Sequence, residues 1–196
     1  CAYDDPAIIS ALALPRILGG STPLPNNARL LRLQLPLPGR PGRTHLKELC
    51  DAETLGGFAD FPQVLPHCEA AGGSSSSSGQ GRYICVACAQ GETTAANGLA
   101  RVDTITGAVV TWAGAGGRGE ELLGEPCVVL GHEGSGNCMV LVSSHDRVGA
   151  SLVVLDPERM EEVARWRAPR SPLQGKDQGQ AEPPAIPYGT HGEWLP

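Results

Sequence analysis

The sequence predicts an all-β fold built of antiparallel meanders, preceded by one short N-terminal helix. Three observations lead there. Glycine (26) and proline (17) interrupt the 196 residues too often for a helical bundle. Short apolar runs alternate with period two along most of the chain, and glycine-containing turns join several of those runs. The apolar fraction of 41% excludes a wholly disordered chain, and no apolar run approaches the roughly 18 residues that cross a bilayer as a helix.

The elements follow in order. Asp5-Pro6 reads as an N-cap and first-turn proline, and Ile8, Ile9 and Leu12 recur at helical spacing, which predicts the helix. From Ala28 the period drops to two: Leu31, Leu33, Leu35 and Leu37 alternate with Arg32, Gln34 and Pro36, as in a strand with one wet face. Further strands are expected at Arg82–Ala89, Gly98–Asp103, Ala108–Ala113, Cys127–Leu130, Cys138–Ser143, Ser151–Asp156 and Glu162–Arg167. Thr104-Ile105-Thr106-Gly107 reads as a hairpin loop with glycine where positive φ is needed, and Arg147-Val148-Gly149-Ala150 is expected to join the next pair. Sandwiches, barrels and propellers all use such meanders, and periodicity does not choose among them. The stretches 70–80, with the serine run Ser74–Ser78, and 169–185, rich in Pro, Gln and Gly, read as exposed, mobile insertions.

Charge and cysteine usage narrow the function classes. Fifteen Lys+Arg against 21 Asp+Glu give a net charge of −6, and the basic clusters are short and broken by Pro and Gly. That argues against a nucleic-acid partner and against an anionic-membrane footprint. Seven cysteines, an odd number without regular spacing, argue against a disulfide framework and for a reducing compartment. Cys85 and Cys88 spell C-x-x-C, but residues three apart on a strand point to opposite faces, so they read as small buried apolar residues rather than a redox or zinc pair. The chain begins on Cys1, and Glu193-Trp194-Leu195-Pro196 resembles the start of an element, so a fragment of a longer protein is expected.

Few residues offer chemistry. His191 stands in Pro187-Tyr188-Gly189-Thr190-His191-Gly192, where flanking glycines permit close backbone approach; that suits a metal ligand, but turn glycines are common and the residue taken alone reads first as part of an ordinary surface turn. One imidazole cannot hold a metal alone. His145-Asp146 sits at a hairpin end and reads as turn chemistry, while His45, His67 and His132 lie in Gly- or Pro-rich stretches and read as surface residues. Gly114-Ala115-Gly116-Gly117 lacks the Gly-Lys-Ser/Thr ending of a phosphate loop. Glu125, in Gly124-Glu125-Pro126, and Asp60, in Phe58-Ala59-Asp60-Phe61-Pro62, are acids in apolar settings; each either faces solvent at a strand end or orients a buried partner such as a ligating histidine.

In order along the chain, Asp60-Phe61-Pro62-Gln63-Val64, Arg82-Tyr83, Gly124-Glu125-Pro126, His145-Asp146, Leu152-Val153-Val154-Leu155-Asp156, Glu161-Glu162-Val163-Ala164 and Pro187-Tyr188-Gly189-Thr190-His191-Gly192 resemble the carotenoid cleavage dioxygenase family. The resemblance implies a seven-bladed β-propeller, of which residues 1–196 are a C-terminal part, with a non-haem Fe(II) on the axis held by four histidines. It implies that His191 is the last of those ligands and that Glu125 and Asp60 accept N–H bonds from ligating imidazoles. The family commonly has Glu where Asp60 stands, and it often has a Pro-Arg-Pro loop where Leu130-Gly131 stands. The implied reaction inserts both atoms of O2 across one conjugated double bond of a carotenoid or apocarotenoid, giving two carbonyl products. Four neutral imidazoles suit Fe(II), and nearby carboxylates offset its charge and fix which ring nitrogen faces the metal.

Asp5-Pro6-Ala7-Ile8-Ile9, Arg82–Cys88 and Asn97–Asp103 look most like the plant branch acting on apocarotenoids in strigolactone precursor synthesis. Plastid location and peripheral membrane contact through regions outside this chain are further implications of the resemblance. The alternative from another class is a non-catalytic β-propeller interaction module, and a truncated product that cannot bind iron is a third reading. Three further histidines upstream would decide for the enzyme. By itself the chain is expected to be inactive.

Overall fold

A computed structural model describes residues 28–36, 38–39, 42–51, 53–56, 58–65, 82–90, 96–114, 121–131, 138–146 and 149–168. The expected helix near 5–12, the stretches 70–80 and 169–185, and His191 lie outside the described residues. Among the described residues the regular elements are all strands: β1 (Leu30–Gln34), β2 (His45–Cys50), β3 (Ala59–Leu65), β4 (Tyr83–Cys88), β5 (Gly98–Asp103), β6 (Val109–Trp112), β7 (Leu122–Leu123), β8 (Cys127–Leu130), β9 (Cys138–Asp146), β10 (Gly149–Asp156) and β11 (Glu161–Arg167).

Three antiparallel sheets result. β1 and β2 form a hairpin, β3-β4-β5-β6 form a four-stranded meander, and β11-β10-β9 continue through β7 and β8, which share the far edge of β9. The inner strands of the middle sheet, β4 and β5, are buried on both faces. Cys85, Ala87 and Leu99 point into a core shared with Leu123, Val140, Val142, Val153 and Leu155 of the third sheet. Val86, Cys88, Ala100 and Val102 point the other way, onto Leu30, Leu49 and Cys50 of the hairpin. The period-two pleat explains this two-sided sharing, and it explains why β4 and β5 read as nearly continuous apolar runs.

Cys85 and Cys88 therefore lie in different cores, as their spacing requires. Burial pushes the Cys85 thiol up to about 12 and the Cys88 thiol up to about 11, so neither is a thiolate nucleophile near neutral pH. The expected hairpin loop after β5 is present, with Gly107 at φ 78°.

Four expectations differ from the structure. β2 and β3 occupy stretches where no strand was expected, and β7 is a two-residue strand without periodicity of its own. The loop expected at 147–150 is tighter, because Gly149 pairs with Asp146 and Ala150 with His145 inside the ladder. His45, expected in a loop, opens β2 and is exposed there. Finally, the leucines of β1 do not form a dry face: Leu33 is 57% exposed and Leu35, just beyond the strand, 64%. The base of that hairpin packs on the middle sheet through Leu30, Leu49 and Cys50, and further out Lys47 Nζ donates to the Thr104 carbonyl at 3.5 Å, while Leu33 and Leu35 lie beyond the core.

Candidate functional site

The seam between the middle and third sheets carries both acids singled out in the sequence. Asp60 lies on β3 and is half-buried. After it the ladder shifts register: Asp60 opposes Ala87, while Gln63 opposes Cys85, so β3 takes three steps where β4 takes two. That is a β-bulge. Phe61 absorbs it at φ 53°, in the left-handed region that L side chains seldom adopt, and its N–H donates to Asp60 Oδ1 at 2.8 Å. Pro62, which lacks an N–H, occupies the irregular step where no ladder donor is required.

Glu125 sits in the connection between β7 and β8. The backbone around it is anchored on both sides: Leu123 N–H donates to the Ala96 carbonyl at 2.8 Å, Gly124 N–H to the Ser143 carbonyl at 2.9 Å, and Pro126 is fully buried. From across the seam, Gln63 Nε2 donates to Glu125 Oε1 at 3.0 Å. Gln63 thus ties the strand that carries Asp60 to the loop that carries Glu125, over 62 positions of sequence.

A second polar cluster lies on the third sheet. Arg165 on β11 donates to Glu162 at 2.8 Å and 2.9 Å and to Glu121 at 3.3 Å, and Ser144 Oγ donates to Glu121 Oε2 at 2.7 Å. Glu121 is buried, and the Arg165 side chain is only 11% exposed. Hydrogen bonding to Glu162, reinforced by the charge of Glu121, holds the Arg165 guanidinium above the ordinary arginine value. A carboxylate pair clasping one largely buried cation suits a fastening between β11 and the segment before β7.

His145 on β9 is half-buried, and burial lowers its pKa against the smaller opposing effect of Asp146. It belongs to the hairpin end as expected: Asp146 Oδ1 accepts the Gly149 N–H at 2.9 Å and Oδ2 accepts from Arg167 at 3.4 Å. Among the described residues no group of three or more His, Cys, Asp and Glu side chains is placed to hold a metal, and no helix is long and apolar enough to cross a membrane.

Sequence reasoning identified Asp60 and Glu125 and passed over Gln63, Glu121 and Arg165. Gln63 carries no signal of its own, since its role depends on a bulge and on a partner 62 residues away. Glu121 and Arg165 sit among other charged residues, 44 positions apart, with no spacing that sets them off.

The described residues supply no ligand cage; they supply half-buried carboxylates on a fixed framework, the kind of group that accepts an imidazole N–H and sits outside the ligands themselves.

Comparison with known proteins bears on all of the chain. Residues 1–196 match the family described as retinal pigment epithelial membrane protein (RPE65). The chloroplastic carotenoid cleavage dioxygenase 8 homolog A of Oryza sativa subsp. japonica is 31% identical over 201 residues, covering 99% of this chain. This chain spans 31% of that relative's length. A cobalt-substituted Synechocystis apocarotenoid oxygenase (ACO) is 18% identical with a TM-score of 0.46, over 64% of this chain and 25% of that one. An ACO/RPE65 chimera is 16% identical with a TM-score of 0.46, over the same shares. The family match over the whole of residues 1–196 places this chain in the carotenoid cleavage dioxygenase/RPE65 superfamily.

Proposed function

We propose that a longer protein carrying this chain is a non-haem iron dioxygenase that cleaves one conjugated double bond of a carotenoid or apocarotenoid with O2 to give two carbonyl products. The observation that carries the reading is the match of the whole chain, residues 1–196, to the superfamily. The seam geometry is in keeping with it. In this reading the three sheets are parts of neighbouring blades of a seven-bladed propeller, His191 is one of four histidine ligands, and Fe(II) supplies the O2-activating centre. The residues of this chain do the rest: Glu125, steadied by Gln63, accepts the outer N–H of a ligating imidazole, and Asp60 does the same from β3. Each bond fixes the tautomer that presents the other nitrogen to the metal and raises that nitrogen's basicity.

A carotenoid substrate class and a plastid location belong to the same proposal, drawn from the likeness to the rice protein, a chloroplastic carotenoid cleavage dioxygenase homolog. The test is the full-length protein reconstituted with Fe(II) and given carotenoids and apocarotenoids under isotopically labelled O2. Aldehyde or ketone products with label in both fragments are expected. Failure to retain iron together with failure to cleave any conjugated polyene would overturn the reading.

A further inference from the structure

We propose that Gln63 is the positioning residue for Glu125, presented to it by the bulge at Phe61; this deepens the iron-dependent reading above and rests on it. Asp60 and Gln63 are three positions apart, and in an unbroken strand that spacing sends side chains to opposite faces. Here Asp60 opposes Ala87 and Gln63 opposes Cys85, two residues of β4 that belong to the same core between the middle and third sheets. Directly opposed residues of an antiparallel pair share a face. Asp60 and Gln63 therefore both face the third sheet, and the left-handed backbone of Phe61 is what permits it. Phe61 itself packs against that core, which helps to hold the unfavourable conformation in place.

From this face Gln63 crosses the seam and donates to Glu125 Oε1 at 3.0 Å. The chemistry of the side chain matters. An amide orients a carboxylate through a hydrogen bond yet leaves its full negative charge for another partner, whereas Lys or Arg at the same place would neutralise it. With the backbone of Glu125 anchored through Gly124 and Pro126, the amide settles the remaining freedom of the side chain. The carboxylate is then aimed before any imidazole meets it.

The experiment measures how fast a chelator strips Fe(II) from the full-length protein, alongside turnover, in Gln63→Leu, Glu125→Gln and the double variant. Each single change should speed iron loss by about 10-fold, the low end of the range for residues that support ligands, and the double variant should lose iron no faster than Glu125→Gln alone. Gln63→Glu keeps the shape, so it serves even if the leucine variant folds poorly. It sets two carboxylates together, which favours a shared proton, and the pH below which iron is lost should move upward. A purely structural role would lower the unfolding midpoint without non-additivity and without that pH shift. If Glu125→Gln loses iron while Gln63→Leu retains it at the wild-type rate, or if the two effects add, the positioning role of Gln63 is overturned and that of Glu125 stands. If none of the variants changes iron loss, the assignment of Glu125 falls and the inference falls with it.

Discussion

Asp103 and Asp156 hold the same position in two turns of one design. Each ends a strand, β5 or β10, and its carbonyl accepts the N–H of the residue four later, Gly107 or Met160, at 2.8 Å. Each Oδ1 accepts the N–H two residues on, from Ile105 at 2.9 Å or Glu158 at 2.7 Å, and a longer one three residues on, from Thr106 or Arg159. The fourth residue is left-handed in both, Gly107 at φ 78° and Met160 at φ 54°. The two sheets thus close their hairpins with one local device. They are also joined through it: Arg101 of β5 donates to the Pro157 carbonyl in the second turn at 3.2 Å.

The two turns should respond differently to substitution at the left-handed position. Gly107 is exposed, so Gly107→Ala acts through backbone conformation alone and should destabilise by about 1 kcal/mol. Met160 is buried in the core between the sheets. Met160→Gly relieves a similar backbone strain but removes a buried side chain, whose loss is larger, roughly 2–5 kcal/mol for truncation in a core. Both variants should lower the urea midpoint, Met160→Gly by more; a rise on Met160→Gly would show that strain outweighs burial.

The first turn also sets an acid sensitivity. The Arg82 guanidinium, bonded to Asp103 Oδ2 at 2.8 Å, holds the Asp103 carboxyl well below the usual carboxylate range, with help from the Ile105 and Thr106 N–H groups. A carboxyl depressed on folding adds stability above its unfolded pKa, about 3.9, and loses it as the pH falls towards the folded value. Stability should therefore decline below pH ~4, and Asp103→Asn should flatten that limb of the curve. Unchanged acid dependence in the variant, followed by urea midpoints, would assign the decline to other carboxylates.

Strands flanked by clear turns were legible at their bounds, as at β5 and β8. β3 was not, because Pro62 in its middle argues against a strand; the structure tolerates it only at the bulge, where no ladder donor is missed. β2 lacks strict alternation because only its last two residues, Leu49 and Cys50, meet a core while the rest is exposed on both faces. The acids Asp60 and Glu125 were legible as types in unusual settings. Their common seam was not, since it depends on a register shift and on packing between sheets distant in sequence.

The two buried cysteines predict an alkaline limit of the opposite sign to the acid one. Their folded values, about 12 for Cys85 and about 11 for Cys88, lie above that of an unfolded thiol, ~8.5. For an acid raised on folding, stability is full below the unfolded pKa and declines as the pH rises above it, because the unfolded chain releases protons that the folded chain keeps. Stability should fall above pH ~8.5, and Cys85→Ala should reduce that fall while adding a small constant loss from the cavity. In the folded protein both thiols should resist alkylation at neutral pH and react after unfolding; rapid labelling of Cys85 under native conditions, read by peptide mass spectrometry, would contradict its place in the core.

The last prediction separates a buried ion cluster from its individual charges. Arg165→Met keeps the stem of the side chain and removes the cation, which leaves the buried Glu121 and the neighbouring Glu162 without the charge that both face. Breaking a buried pair from one side is costly, roughly 3–5 kcal/mol, because the remaining charge stays desolvated. Glu121→Gln should cost less, since the amide oxygen can still accept from Ser144 Oγ, which is 2.7 Å from Glu121 Oε2, and Arg165 keeps Glu162. Removing both partners, as Arg165→Met with Glu121→Met, should be milder than Arg165→Met alone, because the buried Glu121 carboxylate goes with its cation and only the more exposed Glu162 loses its partner charge. Urea unfolding of the full-length protein carrying each variant gives the comparison. If the double variant were the least stable of the three, the cluster would be contributing net stability through attraction, and its role as a fastening between β11 and the segment before β7 would be energetic rather than a matter of specificity.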